Sequence, residues 1–238
     1  DHQSFGERPI FHRNFLVTLP INPNEPIDLF FRVTTSSSMQ FPLALYGHAY
    51  LQKHEQTELI IQGIYYGTML VMMLYNIFLF ASLREMTYLY YVLYVASMTI
   101  FQAGLHGFAY QHLWPEGMWI NAKTIPCSVA GTVVFGGLFA NSFLNLGAHA
   151  PRLQKFILGL VTVASIAMGL ALILPYAQAI RVVVVCGIVG SITYMTAGLL
   201  LWKRGHQFAK IYSIAWSSIL AGAFLISTSK MGILPRTF

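Results

Sequence analysis

Residues 59–83, LIIQGIYYGTMLVMMLYNIFLFASL, decide the fold of this chain, because they form a long apolar stretch without Asp, Glu, Lys or Arg. A helix needs about 20 residues to cross the roughly 30 Å hydrocarbon core of a membrane. Five more stretches of this kind follow, and the one charged residue among them is Arg181. They cover residues 87–113, 125–146, 156–174, 180–202 and 211–229. The sequence therefore predicts a mainly α fold, a polytopic transmembrane helix bundle with six spans.

The composition agrees with a membrane protein, because 56% of the residues are hydrophobic and 9% are charged. A soluble domain carries about 25% charged residues. Residues 1–57 hold five acids and four bases, whereas the remainder holds three acids and ten bases. The basic excess therefore belongs to the loops of the membrane part, where it suits anionic lipid. No stretch is basic enough to neutralise several phosphates of a nucleic acid, so we expect membrane lipid as a partner and no nucleic acid.

Residues 1–57 follow a different pattern, in which prolines separate short runs of β-branched and aromatic residues. In residues 27–34 the apolar side chains alternate with Asp28, Arg32 and Thr34, as in a half-buried antiparallel strand. Residues 11–19 and 40–46 are predicted to form the strands on either side. Three strands bury too little core to be stable alone. We therefore predict that residues 1–57 are the C-terminal strands of a larger β-sandwich and that residues 58–238 are the helix bundle.

The loop charges predict the orientation. One side of the six-span arrangement carries six bases, Arg84, Arg152, Lys155, Lys203, Arg204 and Lys210. The other side carries four, Lys123, Arg181, Lys230 and Arg236. The positive-inside rule therefore places the β segment outside, which is the periplasm in a bacterium. Six crossings return the chain to that side, so we expect a seventh span and a soluble output module as its continuation.

Four polar or small residues in the spans are predicted to serve helix packing. Gly63 and Gly67 form a GxxxG motif, which lets a second backbone approach closely. Contact within the chain is the favoured interpretation, and the face of a homodimer is the alternative. Asn76 and Asn141 are expected to form hydrogen bonds between helices, although each is also a candidate for a ligand pocket.

Gln102 and His106 are the best candidates for a ligand pocket. They are four residues apart, so they share one face of the second span near its outer end. A polar cavity that opens to the periplasm would use these side chains. The alternative interpretation is again a hydrogen bond between helices.

The sequence offers little support for catalysis in this segment. The eight histidines are dispersed, and neither HExxH, GxSxG nor a Walker A loop occurs. Ser191 and Cys127 lie in spans without a matched base, so an intramembrane enzyme is a remote hypothesis. We expect no metal site, no cofactor and no enzymatic activity in this segment.

Several short motifs resemble one bacterial receptor family. GIYYG at 63–67, LYNIFLF at 74–80, SLR at 82–84, YLYYVLY at 88–94 and GFAYQHLWP at 107–115 are similar to the first two spans of the seven-transmembrane receptors with diverse intracellular signalling modules, the 7TMR-DISM family. LFFRV at 29–33 and SSSMQFPL at 36–43 resemble the last strands of the periplasmic jelly-roll domain of that family. The third to sixth spans match the family in pattern alone.

The resemblance implies a sensory receptor of the bacterial inner membrane. It implies a periplasmic jelly-roll domain that binds carbohydrate or another small molecule, a seven-helix bundle, and a cytoplasmic histidine kinase, diguanylate cyclase or phosphatase. On this hypothesis the chain is a receptor segment, and two-component or cyclic-di-GMP signalling follows from an output module outside it. The alternative is a small-solute transporter or permease. Transporters usually show internal repeats or functional intramembrane charges. We find no similarity between the first three and the last three spans, and the one charged residue of the spans, Arg181, lies at a rim.

Overall fold

The helices account for most of this computed structural model, which describes residues 10, 12–19, 28–30 and 43–230, with side chains described as far as 222. Within these residues the chain forms seven α-helices and one π-helix. They are α1 (His48–Leu83), α2 (Met86–Leu105), the π-helix (Ala109–Leu113), α3 (Met118–Phe143), α4 (Leu146–His149), α5 (Pro151–Ile173), α6 (Tyr176–Lys203) and α7 (Gln207–Lys230).

Five described helices are long and apolar enough to cross a membrane, namely α1, α2, α3, α5 and α6. The helix α7 covers the sixth predicted stretch, and α4 is a single turn between α3 and α5. The predicted fold class, a mainly α transmembrane bundle, is confirmed.

The helices begin before the predicted apolar stretches in most cases, and two boundaries matter for the site. The helix α1 begins at His48, because the polar residues before the first apolar stretch continue the same helix outside it. The second stretch is divided, because α2 ends at Leu105 and the π-helix begins only at Ala109. Between them Gly107 has φ of 74°, a left-handed conformation that glycine adopts without a steric penalty.

The described parts of the N-terminal segment have no regular secondary structure. This holds for residues 12, 15–19, 28–30 and 43–47, and residues 13 and 14 form a bend. The other residues of the three predicted strands lie outside the described part of the chain. His12 and Arg13 instead contact the helices through their side chains, as described below.

The helix α3 lies at the centre of the bundle and packs against α2, α5 and α6. Ten of its residues are buried, and most of them are small, including Ala130, Gly137 and Ala140. Small side chains let neighbouring backbones approach closely in a membrane bundle. By contrast, α1 packs on α2 and has no buried residue.

An aromatic cluster connects α3, α6 and α7. The Tyr194 hydroxyl of α6 donates a hydrogen bond to the Val133 carbonyl of α3 at 2.6 Å. The Trp216 indole N–H of α7 donates to the Ser191 carbonyl of α6 at 3.2 Å. The Tyr212 ring stacks on Trp216 with centroids 6.0 Å apart. These contacts hold α7 against the rest of the bundle.

Successive helices run in alternating directions, so the connections lie on two faces. The N-terminal face carries residues 12–15, the 106–117 connection and the turn at 174–175, where Lys123 donates to the Leu174 carbonyl. The opposite face carries the turns at 84–85, 144–150 and 204–206. There Arg204 Nη1 donates to the His149 carbonyl at 2.8 Å, and the Thr87 and Ser142 hydroxyls lie 2.6 Å apart.

Candidate functional site

Residues 12–15, which we call the docking segment, lie against α1 and the end of α2. The His12 side chain is buried, and its Nε2 contacts the Glu55 carboxylate of α1. The Asn14 backbone N–H lies 3.0 Å from His12 Nδ1. The same nitrogen also lies 3.1 Å from the Asn14 carbonyl oxygen. The histidine thus joins the docking segment to α1.

Arg13 makes the second contact, and it reaches two helical elements at once. Its side chain is only 6% exposed and forms an ion pair with Glu58 of α1. Its guanidinium also lies 4.9 Å from the centroid of the Phe108 ring, beyond the end of α2. A cation over an aromatic face is attracted by the ring quadrupole. The Phe108 ring in turn meets Tyr66 of α1 edge to face, with centroids 5.8 Å apart.

Gly107 lies beside this contact. A Cβ at this position would lie 3.4 Å from the Arg13 Cβ and 3.6 Å from its carbonyl oxygen, which are ordinary van der Waals distances. The positive φ that follows α2 here is what favours glycine. Gly107 therefore turns the chain at the place where the docking segment packs.

A pocket of about 200 Å³ lies beside the docking segment. Its polar lining comes from Arg13, Asn14, His106, Tyr110 and Asn121. Pockets for small molecules usually measure about 300–1,000 Å³. The pocket is therefore smaller than an ordinary ligand site, and we interpret it as the edge of the docked interface.

The structure separates the two predicted pocket residues. His106 caps the C-terminus of α2 and lines the pocket. Gln102 lies one turn earlier, half-buried and outside the lining, and its carbonyl accepts the His106 backbone N–H at 3.0 Å. Their shared helix face does not bring both side chains to one cavity.

The predicted packing residues of α1 do not pack within the described chain. A Cβ at Gly63 or Gly67 would meet nothing within 4 Å, so the favoured contact inside the chain is not formed there. Asn76 Nδ2 donates to the Met72 carbonyl of its own helix at 2.8 Å, instead of bonding between helices. In α3, Asn141 Oδ1 is buried without a hydrogen-bond partner among the described residues.

Sequence reasoning missed the residues of the docked interface. Glu55 and Glu58 are three residues apart, which places both carboxylates on one face at the start of α1. This spacing was visible, and it is a signal for basic or histidine partners. The spacing does not identify those partners, because His12 and Arg13 are 43 and 45 residues away in sequence from the acids they contact.

No group of three or more His, Cys, Asp and Glu side chains in the described part of the chain is placed to hold a metal ion. Comparison with known families gives two matches. A family described as 7TM diverse intracellular signalling matches residues 58–238, and one described as 7TMR-DISM extracellular 2 matches residues 1–47. No curated protein and no solved structure matches the chain. The contact between Arg13 and Glu58 thus joins a residue of the extracellular match to a residue of the membrane match.

Proposed function

Because this chain belongs to the 7TMR-DISM family of transmembrane signalling receptors, we propose that it passes a periplasmic ligand signal through the docking segment to a cytoplasmic output module. The chain is a membrane protein and a sensory receptor segment, and its membrane module is not itself catalytic. The proposed output is a histidine kinase, a diguanylate cyclase or a phosphatase.

One observation carries this proposal, the attachment of Arg13 to both α1 and the end of α2. The Arg13 side chain, which makes both the ion pair with Glu58 and the contact with Phe108, is nearly buried. A displacement of the docking segment would therefore act on two helices at the same end of the bundle. A ligand can shift such an equilibrium only by binding one arrangement more tightly than the other. The docking segment is the element whose position would differ between the two.

The ligand is proposed to be a carbohydrate or another small molecule, bound chiefly by the extracellular domain. The pocket of about 200 Å³ at the docking segment is too small for most such ligands. Gln102 and His106 stay predicted contact residues, and the position of His106 at the pocket supports its part of that prediction.

The coupling can be tested with two spin labels on the opposite face. Nitroxide labels would be attached at Glu85→Cys and Gln207→Cys, both exposed positions, after Cys127 and Cys186 are replaced by alanine. We expect Arg13→Met to change the distance distribution between the labels measured by pulsed EPR. Glu58→Gln should change it in the same direction.

Lys53→Met is the matched control, because Lys53 is an exposed base of α1 outside the docked interface. Identical distributions for Arg13→Met and Lys53→Met, with melting temperatures unchanged, would contradict the coupling. If the chain in liposomes also released entrapped glucose or maltose, the transporter alternative would replace the receptor.

The proposed location is the bacterial inner membrane with the docking segment in the periplasm. Six bases on the opposite face support this orientation through the positive-inside rule. In the background without native cysteines, a membrane-impermeant maleimide should label Gly47→Cys in spheroplasts and leave Ser82→Cys unlabelled until the membrane is opened. The reverse pattern would invert the topology.

A homodimer through α1 is a further proposal. Gly63 and Gly67 lie on an open face of α1, and a GxxxG face lets a second helix approach closely. Gly67→Leu should lower the yield of crosslinked dimer in membranes, whereas Gly159→Leu should not. Both positions have open space around a Cβ in the described chain, so Gly159→Leu controls for added bulk. Equal crosslinking for the two variants would exclude this dimer face.

A further inference from the structure

The opposite face of the bundle is strongly basic and carries a single acid in its turns among the described residues. Its turns and adjoining helix ends carry six bases, and Glu85 is the one acid in the turns on that side. Residues 117–238 contain no Asp or Glu at all. The arginines where α5 begins and α6 ends therefore have no carboxylate within their own part of the sequence. An anion from outside the chain is the available counter-charge.

A pocket of about 290 Å³ lies among these bases, where α5 begins and α6 ends. Two arginines line it. Arg152 lies in the first turn of α5, and Arg204 is the C-terminal cap of α6. Arg204 Nη1 donates to the His149 carbonyl at 2.8 Å, which fixes the position of the guanidinium. This bond uses one of the five N–H groups of arginine.

Apart from His149, the remaining lining residues are apolar, which distinguishes the pocket from a site for a soluble anion. Leu153 and Leu201 contribute to the lining, and Leu200 is 49% exposed beside them. These leucines belong to the ends of two helices that are apolar enough to cross a membrane. The two arginines therefore lie next to apolar surface, just as the phosphates of a bilayer lie next to its acyl chains.

We propose that this pocket binds the phosphate group of an anionic glycerophospholipid. Arg152 and Arg204 hold the phosphate oxygens through charge-assisted hydrogen bonds, a role for which the planar guanidinium is suited. Leu153 and Leu200 contact the first methylene groups of the acyl chains. Basic pockets between transmembrane helices bind lipid headgroups by this combination of charge and apolar contact.

Native mass spectrometry of the purified, delipidated chain tests the site. Phosphatidylglycerol is added to wild type, to Arg152→Gln/Arg204→Gln and to Lys155→Gln/Lys210→Gln. The lysine pair removes the same charge from the same face outside the pocket. We expect the arginine pair to weaken lipid binding about tenfold or more and the lysine pair to weaken it about threefold or less. Phosphatidylcholine should bind wild type more weakly than phosphatidylglycerol.

The single variant Arg152→Gln controls for a folding defect, because it leaves intact the hydrogen bond from Arg204 to the His149 carbonyl. With an unchanged melting temperature this variant should still weaken phosphatidylglycerol binding several-fold. Equal losses for the arginine and lysine pairs would show general surface charge and overturn the site. Competition by glycerol 3-phosphate at the concentration at which the lipid binds would assign the pocket to a soluble phosphate ester and overturn the lipid assignment.

Discussion

The helices α1 and α3 are both long and apolar, and both contain glycines close together in sequence, yet α1 lies at the edge of the bundle and α3 at its centre. No residue of α1 is buried, whereas ten residues of α3 are. The GxxxG motif lies on α1, where added Cβ atoms would meet open space. In α3 a Cβ at Gly137 would lie 2.6 Å from Val161 Cγ2. Hydrophobicity therefore identifies helices that enter the membrane, and the facing side chains determine which glycines are packed.

The difference also shows where each helix is held. The helix α3 is fixed along its length by three neighbouring helices. The apolar part of α1 packs against α2. Near the N-terminus of α1, Glu55 and Glu58 contact the docking segment. A receptor helix with few internal contacts and a polar attachment at one end is suited to move with that attachment. The predictions below test this contrast between a central and a peripheral helix.

The largest effect is expected from Gly137→Ala in α3. The new methyl group would lie under 3 Å from Val161 Cγ2 and from the Tyr194 hydroxyl, and a β-branched valine cannot move aside easily. We expect a loss of about 1–3 kcal/mol in stability, the usual cost of overpacking. Gly67→Ala in α1 should instead be neutral or stabilising by up to about 1 kcal/mol, because alanine favours helices. Thermal unfolding in detergent measures both, and equal destabilisation would contradict the contrast.

The next effect is expected at the attachment of α1. A double-mutant cycle with Arg13→Met and Glu58→Gln should give a coupling energy of about 1 kcal/mol, since Glu58 is 44% exposed and its charge is partly screened. Phe108→Leu in the chain that keeps Arg13 should also lower the free energy of unfolding, because it removes the cation–π contact. Denaturant unfolding of the full chain provides the energies. Additive single changes would mean that the ion pair contributes nothing to docking.

A smaller effect is expected from Tyr194→Phe, which removes the hydrogen bond from α6 to the Val133 carbonyl of α3. Hydrogen bonds between membrane helices contribute about 0.6 kcal/mol on average, and the buried position of Tyr194 favours a value near 1 kcal/mol. Tyr212→Phe is the matched control, because the Tyr212 hydroxyl is buried without a hydrogen-bond partner in the described residues. Its removal should be neutral or stabilising. A greater loss for Tyr212→Phe would reverse the assignment.

The sequence predicted the apolar stretches well because hydropathy reports on the membrane directly. It could not predict the start of α1, since the polar residues from His48 onward extend the helix without extending the apolar stretch. It could not predict the end of α2 either. Apolar residues continue to 113, and the hydropathy of this stretch does not mark the positive φ at Gly107 that follows the end of α2.

The candidate site was harder to predict than the fold for a similar reason. Gln102 and His106 were selected by local spacing, and one of the two lines a pocket. The docked interface depends on Arg13 and Glu58, which are 45 residues apart, and no periodic pattern connects them. Gly63 and Gly67 satisfied the motif for close packing, but a motif on one helix carries no information about the surface that faces it.

The smallest effect is expected from Asn76→Leu in α1. Its side-chain amide donates to the Met72 carbonyl of the same helix at 2.8 Å, and the residue is half-buried. The Met72 carbonyl belongs to the backbone hydrogen bonding of the helix, and leucine is favourable in a lipid environment. The free energy of unfolding of the monomer should therefore change by less than about 0.5 kcal/mol. Unfolding measured at low protein-to-detergent ratio tests the monomer, and the same measurement at high ratio tests the dimer. Asn76 is nine residues from Gly67, about 180° around the helix, so a loss that occurs only at high ratio would place a second copy on the side of α1 opposite the GxxxG face. A loss of 1 kcal/mol or more at both ratios would show that α1 is held within the chain by a contact that its open surface does not suggest.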